Sequence, residues 1–147
     1  GKDYCNEIVM SYINLITYKA CSYLSGYLQK ETRETEIGNR RSEEYFNKFM
    51  SLLKQNFKNE RSLEFYAEKL YITPKYMTTL IKKASSKSAM EWINDCVIME
   101  AKNLLKYSEM SIQEISEYLN FSNQSFFSQY FKRISGHTPS EYRAQSQ

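Results

Sequence analysis

The residues best suited to chemistry lie in one stretch of the sequence, residues 121–143. The stretch predicts a tight turn, then a short helix with one aromatic and one polar face, then a turn at Gly136 into a helix that starts at Pro139. Amides and hydroxyls donate and accept hydrogen bonds without ionising, so such a face is suited to lie against a partner and read its hydrogen-bonding pattern. The polar face carries two amides and two hydroxyls, those of Gln124, Ser125, Ser128 and Gln129.

Residue types that support catalysis or metal binding are sparse. His137 is the only histidine. Cys5, Cys21 and Cys96 lie far apart, each among apolar helix residues, which favours small buried thiols in a reducing cytosol over metal or redox chemistry. No nucleophile–base pair or metal-ligand set can be assembled from these residues. We therefore expect no enzymatic activity, no metal and no cofactor.

Composition and charge bound the class of protein. The 147 residues include only four Gly and two Pro, which together with the long apolar-periodic runs predicts an all-helical chain. We see no signal peptide, and no apolar run approaches the ~20 residues that cross a bilayer, so we expect a cytoplasmic protein without a membrane partner. The chain begins without Met, as expected for a fragment of a longer protein. Residues 1–45 carry six Lys/Arg against seven Asp/Glu and residues 46–147 carry fourteen against ten, a mild basic excess that supports nucleic-acid binding only weakly.

The first part of the chain predicts a helical hairpin over residues 1–58. Residues 30–41 are charged and nearly free of apolar side chains, so they predict a linker or loop, and Ser42 is predicted to cap a helix that ends near Asn56. Residues 3–29 form a long helix with an apolar seam at 4-3-4-3-4 spacing. The seam fits either packing against the following helices or pairing with a second copy in a homodimer, and both readings stay open. Its members are Val9, Ile13, Ile16, Ala20, Tyr23 and Tyr27.

From Ser62 onward the sequence repeats itself at an offset of 49 to 50 residues, with one residue inserted in the second turn. Each copy predicts a helix, a short turn and a second helix, the helix-turn-helix pattern, over residues 62–84 and 111–134. Helix starts are marked by Thr73-Pro74 and by capping boxes that open at Ser88, Ser111 and Thr138.

A joining helix over residues 88–106 is predicted between the two copies. Its 18 residues from Ala89 span roughly 27 Å, which with the turns allows the two second helices to lie about one DNA turn (~34 Å) apart. The sequence thus predicts an all-α fold of two helix-turn-helix subdomains joined by a long helix, preceded by a helical hairpin. Double-stranded DNA is the partner that this arrangement favours.

Aromatic residues cluster in the last predicted reading helix. Their helical spacing favours a core over stacking platforms for single strands, with Phe127 and Phe131 inward and Phe126 or Tyr130 partly exposed. Trp92 is likewise expected to pack the joining helix.

The ordered motifs over residues 62–143 resemble the DNA-binding domain of the arabinose-regulator (AraC/XylS) family. The resemblance is carried by Ala67–Leu70, Thr73–Met77, Glu100–Leu105, Ser111–Ile115, Asn120–Phe127, Phe131-Lys132 and Gly136–Arg143. This chain departs from the family at five positions. It has Ser86 and Asn120 where Gly is usual, Ile81 for Phe, Ser116 for Ala, and Val97 where Arg is often found. Because Val97 removes a possible DNA-backbone contact, no DNA contact is assigned to the joining helix.

The resemblance implies that residues 59–147 form a sequence-specific DNA-binding domain of a transcription regulator that reads two successive major grooves. Activator is the expected class, and the sequence leaves repression open. It implies that the base-contacting residues are Lys75, Thr78 and Thr79 in the first motif and Gln124, Ser125, Ser128 and Gln129 in the second. From their positions at the ends of the reading helices and in the adjoining turns, the expected phosphate-contacting residues are Lys82, Lys83, Lys87, Ser122, Asn123, Lys132, Arg133 and Arg143.

Residues 1–58 resemble, in position and character, the helices that connect and dimerise such domains behind a ligand-sensing domain. The resemblance implies a homodimer through the N-terminal helix, a small-molecule effector bound only by a sensor domain outside this sequence, RNA polymerase as a possible partner, and a location at the nucleoid. An alternative interpretation is a helical protein–protein interaction module that has lost DNA binding, which the modest charge favours.

Overall fold

The computed structural model describes residues 2–28 and 33–147, and the side chains of residues 6–24 and 36–147. The described residues contain helices and connecting turns but no strand, so the predicted all-α fold is confirmed. No helix in these ranges is long and apolar enough to cross a membrane. The helices are α1 Lys2–Leu28, α2 Arg33–Asn56, α3 Leu63–Lys69, α4 Pro74–Ser85, α5 Ala89–Tyr107, α6 Ile112–Tyr118, α7 Gln124–Ser135 and α8 Pro139–Gln145.

Most helix starts lie where the local capping signals predict them. The Thr73 hydroxyl accepts the Tyr76 N–H, and Pro74 occupies the first turn of α4. Ser88, Ser111 and Thr138 each open a complete capping box, in which the glutamate three residues later accepts the N–H of the cap residue. These signals act over a few residues, so they can be read without knowledge of the tertiary fold.

The internal repeat is visible in the helix bounds. Helices α3 and α6 start 49 residues apart and α4 and α7 start 50 apart, which confirms one extra residue in the second turn. The insertion moves the cap of α7 to Asn123, whose Oδ1 accepts the Phe126 N–H at 2.8 Å, one residue beyond the Ser122 that aligns with Thr73. Tyr71 and Asn120 occupy equivalent turn positions, each left-handed at φ 57°. Asn is one of the few residues other than glycine that tolerate this conformation.

The predicted loop over residues 30–41 is wrong for residues 33–41, because α2 already begins at Arg33; residues 29–32 lie outside the described residues. Ser42 is therefore not a helix cap. It is buried inside α2, and its hydroxyl donates to the Gly38 carbonyl one turn earlier at 3.0 Å. Arg and Glu are good helix formers, and one glycine costs only about 1 kcal/mol, so the apolar stripe that follows can hold this extension in helix.

Helix α5 belongs to both hydrophobic cores. Its first half gives Ala89, Ile93 and Val97 to a core shared with α2, α3 and α4. Its second half gives Ile98, Ala101 and Leu105 to a core shared with α6 and α7. Helix α2 contributes Phe46, Phe49 and Leu53 to the first of these cores. The domain boundary near residue 58 stays a prediction, but the first helix-turn-helix is built on α2 as well as on α5.

The expected packing of the aromatic residues is confirmed. Trp92 is half-buried, its ring centroid lies 5.5 Å from that of Phe46, and its Nε1 donates to the Ser85 hydroxyl at 3.0 Å. Phe127 and Phe131 are fully buried, whereas Phe126 is 62% exposed.

The expectation of buried thiols fails for one cysteine. Cys21 is exposed, because the side of α1 on which it lies faces solvent. Cys96 is half-buried, and burial raises the pKa of its thiol to about 11, which keeps it protonated and unreactive at neutral pH. The Cys5 side chain lies outside the described residues.

Helix α1 packs on α2 through one narrow face. The Tyr18 ring lies edge-on to Phe46 at 6.3 Å, Leu15 packs against the first core, and the Ser22 hydroxyl donates to Glu43. At about 100° per residue these three positions lie on the opposite side of the helix from the predicted seam. Within the described side chains the seam is open to solvent: Val9 is 49% exposed, Ile13 45%, Ile16 64% and Tyr23 78%, and Ala20 is exposed too. The Tyr27 side chain is outside the described set.

Candidate nucleic-acid interface

Helix α4 has one fully buried face and one polar exposed face. Met77, Leu80, Ile81 and Ala84 are buried, and all of them except Leu80 belong to the first core. Because residues i, i+3 and i+4 of a helix share a face, this packing directs Lys75, Thr78 and Thr79 together to the other side. Lys75 and Thr79 are exposed and Thr78 is half-buried. The three base-contacting residues predicted in the first motif therefore form one continuous surface.

The two threonine hydroxyls of this surface are already used as donors. Thr78 donates to the Pro74 carbonyl at 2.9 Å and Thr79 to the Lys75 carbonyl at 3.0 Å. A hydroxyl whose proton is engaged keeps lone pairs that can accept a hydrogen bond. At this surface the threonines are therefore suited to accept from exposed amino groups, and Lys75 to donate.

Helix α7 repeats the arrangement in the second motif. Phe127 and Phe131 fill the second core, and Gln124, Ser125 and Gln129 are exposed with Ser128 half-buried beside them. Both glutamine amides are thus available, each with a donor and an acceptor side by side. The second predicted set is also brought together on one face.

Lysine and arginine residues near the ends of both helices fall into two groups. Lys82, Lys132 and Arg133 are exposed in the last turns of α4 and α7, so they are available to phosphate. Lys87 instead pairs with Asp95 and lies 4.5 Å from the Trp92 ring.

Another predicted phosphate ligand, Arg143, bonds to the protein itself, whereas Lys83 makes no such bond within the described residues. Arg143 donates from Nε to the Leu105 carbonyl at 3.0 Å and from Nη2 to the Met110 carbonyl at 2.6 Å. Lys83 is exposed in the last turn of α4, with its ammonium near Gly38 of α2. Phosphate contacts by Lys83, Lys87 and Arg143 stay predictions, and those by Lys87 and Arg143 would require the internal contacts of these two residues to be exchanged.

An open groove of about 340 Å³ separates α6 from the start of α7. Ser122, Asn123, Gln124 and Ser125 line one side of it, and Gln113 and Glu117 line the other. First-turn N–H groups have no partner within their own helix and attract anions, which suits this end of α7 to a backbone phosphate. The Asn123 side chain is itself occupied as the cap, so its own contact with a phosphate remains a prediction.

Two exposed aromatic residues extend the predicted surface. Phe126 on α7 and Tyr76 on α4 hold the equivalent position 50 residues apart, 62% and 38% exposed. Tyr76 is more covered because α2 places Tyr45 edge-on to it at 6.4 Å. The internal repeat aligns these two positions, so it is the sequence signal by which they could have been found.

The fold and this surface define a class: a DNA-binding protein with two helix-turn-helix motifs on one joining helix. Residues 66–145 match the family described as a helix-turn-helix domain, and the chain belongs to that family. Its relatives include regulators of the arabinose type, which confirms the resemblance found in the sequence.

Among curated proteins, the chain is similar to the regulatory protein PocR of Salmonella typhimurium, at 29% identity over 117 residues, 80% of this chain and 39% of PocR. It is also similar to the arabinose operon regulatory protein of Escherichia coli, at 32% identity over 78 residues, 53% of this chain and 27% of that protein. The chain spans well under half the length of both relatives.

Solved structures share the fold. The C-terminal domain of AraT, a response regulator from Geobacillus stearothermophilus, has a TM-score of 0.64 and 27% identity, over 69% of this chain and 84% of that one. The DNA-binding domain of AdpA, solved in complex with a target DNA, has a TM-score of 0.61 at 18% identity, over 68% of this chain and 90% of its own. At that identity the second likeness concerns the fold alone.

Proposed function

We propose that this chain is the DNA-binding part of a bacterial transcription regulator, and that it binds double-stranded DNA by placing α4 and α7 in two successive major grooves. One observation carries the proposal. The two helices are equivalent in the repeat, each buries a row of apolar side chains, and each leaves polar side chains exposed in its N-terminal half. N-terminal residues of the second helix are those that reach base edges in helix-turn-helix proteins.

Base recognition follows from the chemistry of the exposed side chains. Gln124 and Gln129 can pair with the N6 and N7 groups of adenine, and Lys75 can donate to O6 and N7 of guanine. Thr78 and Thr79, as acceptors, suit the amino groups of adenine or cytosine, while their methyl groups can contact the methyl of thymine. Ser125 and Ser128 complete the second surface.

Phosphate contacts would hold the two helices in register. The exposed cations Lys82, Lys132 and Arg133 and the first turn of α7 are best placed for this role, because they border the polar faces. Such contacts fix position and affinity but carry no sequence information.

Selection of duplexes from a random pool by the purified chain tests this function. We expect an enriched site made of two short half-sites about one DNA turn apart. The logarithm of the affinity should fall linearly with the logarithm of the salt concentration. Enrichment of no duplex, with no shift of DNA even at low salt, would contradict the proposal and favour a helical protein-interaction module.

Further partners are proposed for the whole regulator. The exposed seam of α1 supports pairing of two copies, since a homodimer would cover four apolar side chains that are each 45% exposed or more. An effector-binding domain would belong to the rest of a longer chain, since the relatives are longer than this one. RNA polymerase contact and location at the nucleoid follow from the proposed role in transcription.

A further inference from the structure

The two helix-turn-helix subdomains are joined a second time, apart from α5. The segment that leaves α2 and enters α3, residues 57–62, contacts the turn of the second motif, residues 119–121. Residues 57–62 lead directly into α3, which is followed by α4. Residues 119–121 belong to the turn that precedes α7. A contact between them therefore acts on the relative position of the two reading helices.

Arg61 is the centre of this contact. Its Nη1 donates to the Leu119 carbonyl at 2.6 Å, and its Nη2 donates to the Asn120 carbonyl at 2.8 Å. The guanidinium carbon lies 4.0 Å from the centroid of the Phe121 ring. The planar guanidinium of one arginine can donate to two carbonyls and at the same time lie over a ring face. A lysine has no such fork.

Two neighbouring residues, Asn120 and Lys58, make further contacts between the same two parts of the chain. The Asn120 amide donates back to the Asn59 carbonyl at 3.1 Å. Lys58 donates to the Tyr118 hydroxyl and lies 3.7 Å from a Glu100 carboxylate oxygen on α5. Glycine would adopt the left-handed turn at residue 120 at less cost, but it has no side chain to donate.

The same region joins the two cores through their aromatic residues. Phe121 and Tyr130 pack against both cores, and their ring centroids lie 5.1 Å apart. The Tyr130 hydroxyl donates to Asn94 Oδ1 on the first half of α5 at 2.7 Å. Rotation of the second subdomain about α5 would break these contacts together with those of Arg61.

We propose that Arg61 is a positioning residue that locks the second helix-turn-helix against the first and so sets the half-site spacing that the protein accepts. This inference rests on the proposed DNA-binding function. One base pair inserted between half-sites turns the second by about 35° and shifts it by ~3.4 Å, a change that a locked pair of reading helices cannot follow.

The test compares wild type with Arg61→Met and Asn120→Gly on the selected duplex and on duplexes with one base pair added or removed between the half-sites. Arg40→Met is the matched control, since Arg40 is exposed on α2. The readout is the ratio of affinities for the original and the altered spacing, which does not depend on the fraction of active protein. Wild type and Arg40→Met should lose about 5- to 150-fold or more when spacing changes, the cost of at least one mismatched base pair. Arg61→Met should lose much less, and Asn120→Gly should shift in the same direction by a smaller amount.

Amide nitrogen relaxation of the free protein provides a readout without DNA. The two subdomains should tumble with one correlation time in wild type and with two in Arg61→Met. Equal spacing ratios in wild type and both variants, with one correlation time throughout, would overturn the inference while leaving DNA binding intact. Failure of wild type to select any duplex would instead contradict the proposed function, and the relaxation data would still decide whether Arg61 holds the two subdomains together.

Discussion

Glutamine distinguishes adenine from other bases because its amide presents a donor and an acceptor side by side. Gln124 is exposed at the first position of α7, on the proposed reading face. We expect Gln124→Ala to relax preference at one base pair by about 1–3 kcal/mol while affinity for unrelated DNA stays unchanged. Lys75→Ala should do the same at a different base pair. Competition binding across single-base variants of the selected duplex measures both effects.

Gln55→Ala is the matched control for these variants, since Gln55 is exposed on α2 and belongs to neither proposed reading helix. It should leave the preference among duplexes as it is in wild type. An unchanged preference in Gln124→Ala would remove that residue from the reading face.

Substitution of a lysine that contacts phosphate should affect DNA binding differently from substitution of a base-contacting residue. Lys132 is exposed in the last turn of α7, where it can neutralise backbone charge without touching a base. Lys132→Ala should weaken binding to all duplexes alike and lower the slope of log affinity against log salt by about 1. The salt dependence of binding, compared with that of Lys54→Ala on α2, measures this. A change confined to one sequence would indicate base contact instead.

At the scale of single helices, the cap of α7 provides a stability prediction. Asn123 Oδ1 accepts the Phe126 N–H, whereas Ser122 is exposed and precedes the cap. Asn123→Ala should therefore lower the free energy of unfolding by about 1 kcal/mol, and Ser122→Ala should change it little. Urea denaturation without DNA separates the two. A larger loss in Ser122→Ala would move the cap back to the position that aligns with Thr73.

How far the sequence predicts each helix depends on how local its signals are. The caps at Thr73, Ser88 and Ser111 act within one turn, so those helix starts were predictable from sequence. The start of α2 was not, because residues 33–41 carry no cap and no apolar period, and their helix depends on the packing that follows. The polar faces of α4 and α7 were predictable because the buried residues on the opposite face are apolar and recur at helical spacing.

Contacts between segments that are distant in the chain could not be predicted from the sequence. Arg61 bonds to carbonyls 58 and 59 residues away, and nothing in its neighbourhood marks it as more than a charged loop residue. The internal bonds of Lys87 and Arg143 were missed for the same reason, since a basic residue near a reading helix has the same sequence pattern whether it faces DNA or protein.

At the scale of the whole molecule, a single chain can present two reading helices because α5 belongs to both cores. Its 19 residues extend over roughly 28 Å, and its buried side chains pass from the first core to the second between Val97 and Ile98. The net charge is only +3, so long-range attraction to DNA is modest, and the proposed binding would depend mainly on simultaneous contact by both helices.

The seam of α1 leads to a prediction about assembly. Helix α1 packs on α2 through Leu15, Tyr18 and Ser22 and leaves the opposite apolar face open, with Ile16 64% exposed. Pairing of two such faces would bury them in a coiled-coil seam. Sedimentation equilibrium should therefore show a mass that rises with concentration from 17.5 kDa towards twice that value. Ile16→Lys should hold the mass at the monomer value, because it places a charge in the seam.

Asn14→Lys is the control for this variant, since Asn14 is exposed on the side of α1 away from the seam, and it should associate as wild type does. Dimer formation would also change DNA binding, because two linked double motifs gain from the high effective concentration of the second one. Wild type should therefore bind a duplex with two selected sites more tightly than Ile16→Lys does, while both bind a single site equally. A wild type that stays monomeric up to about 1 mM, and that gains nothing from a second site, would contradict the dimer seam.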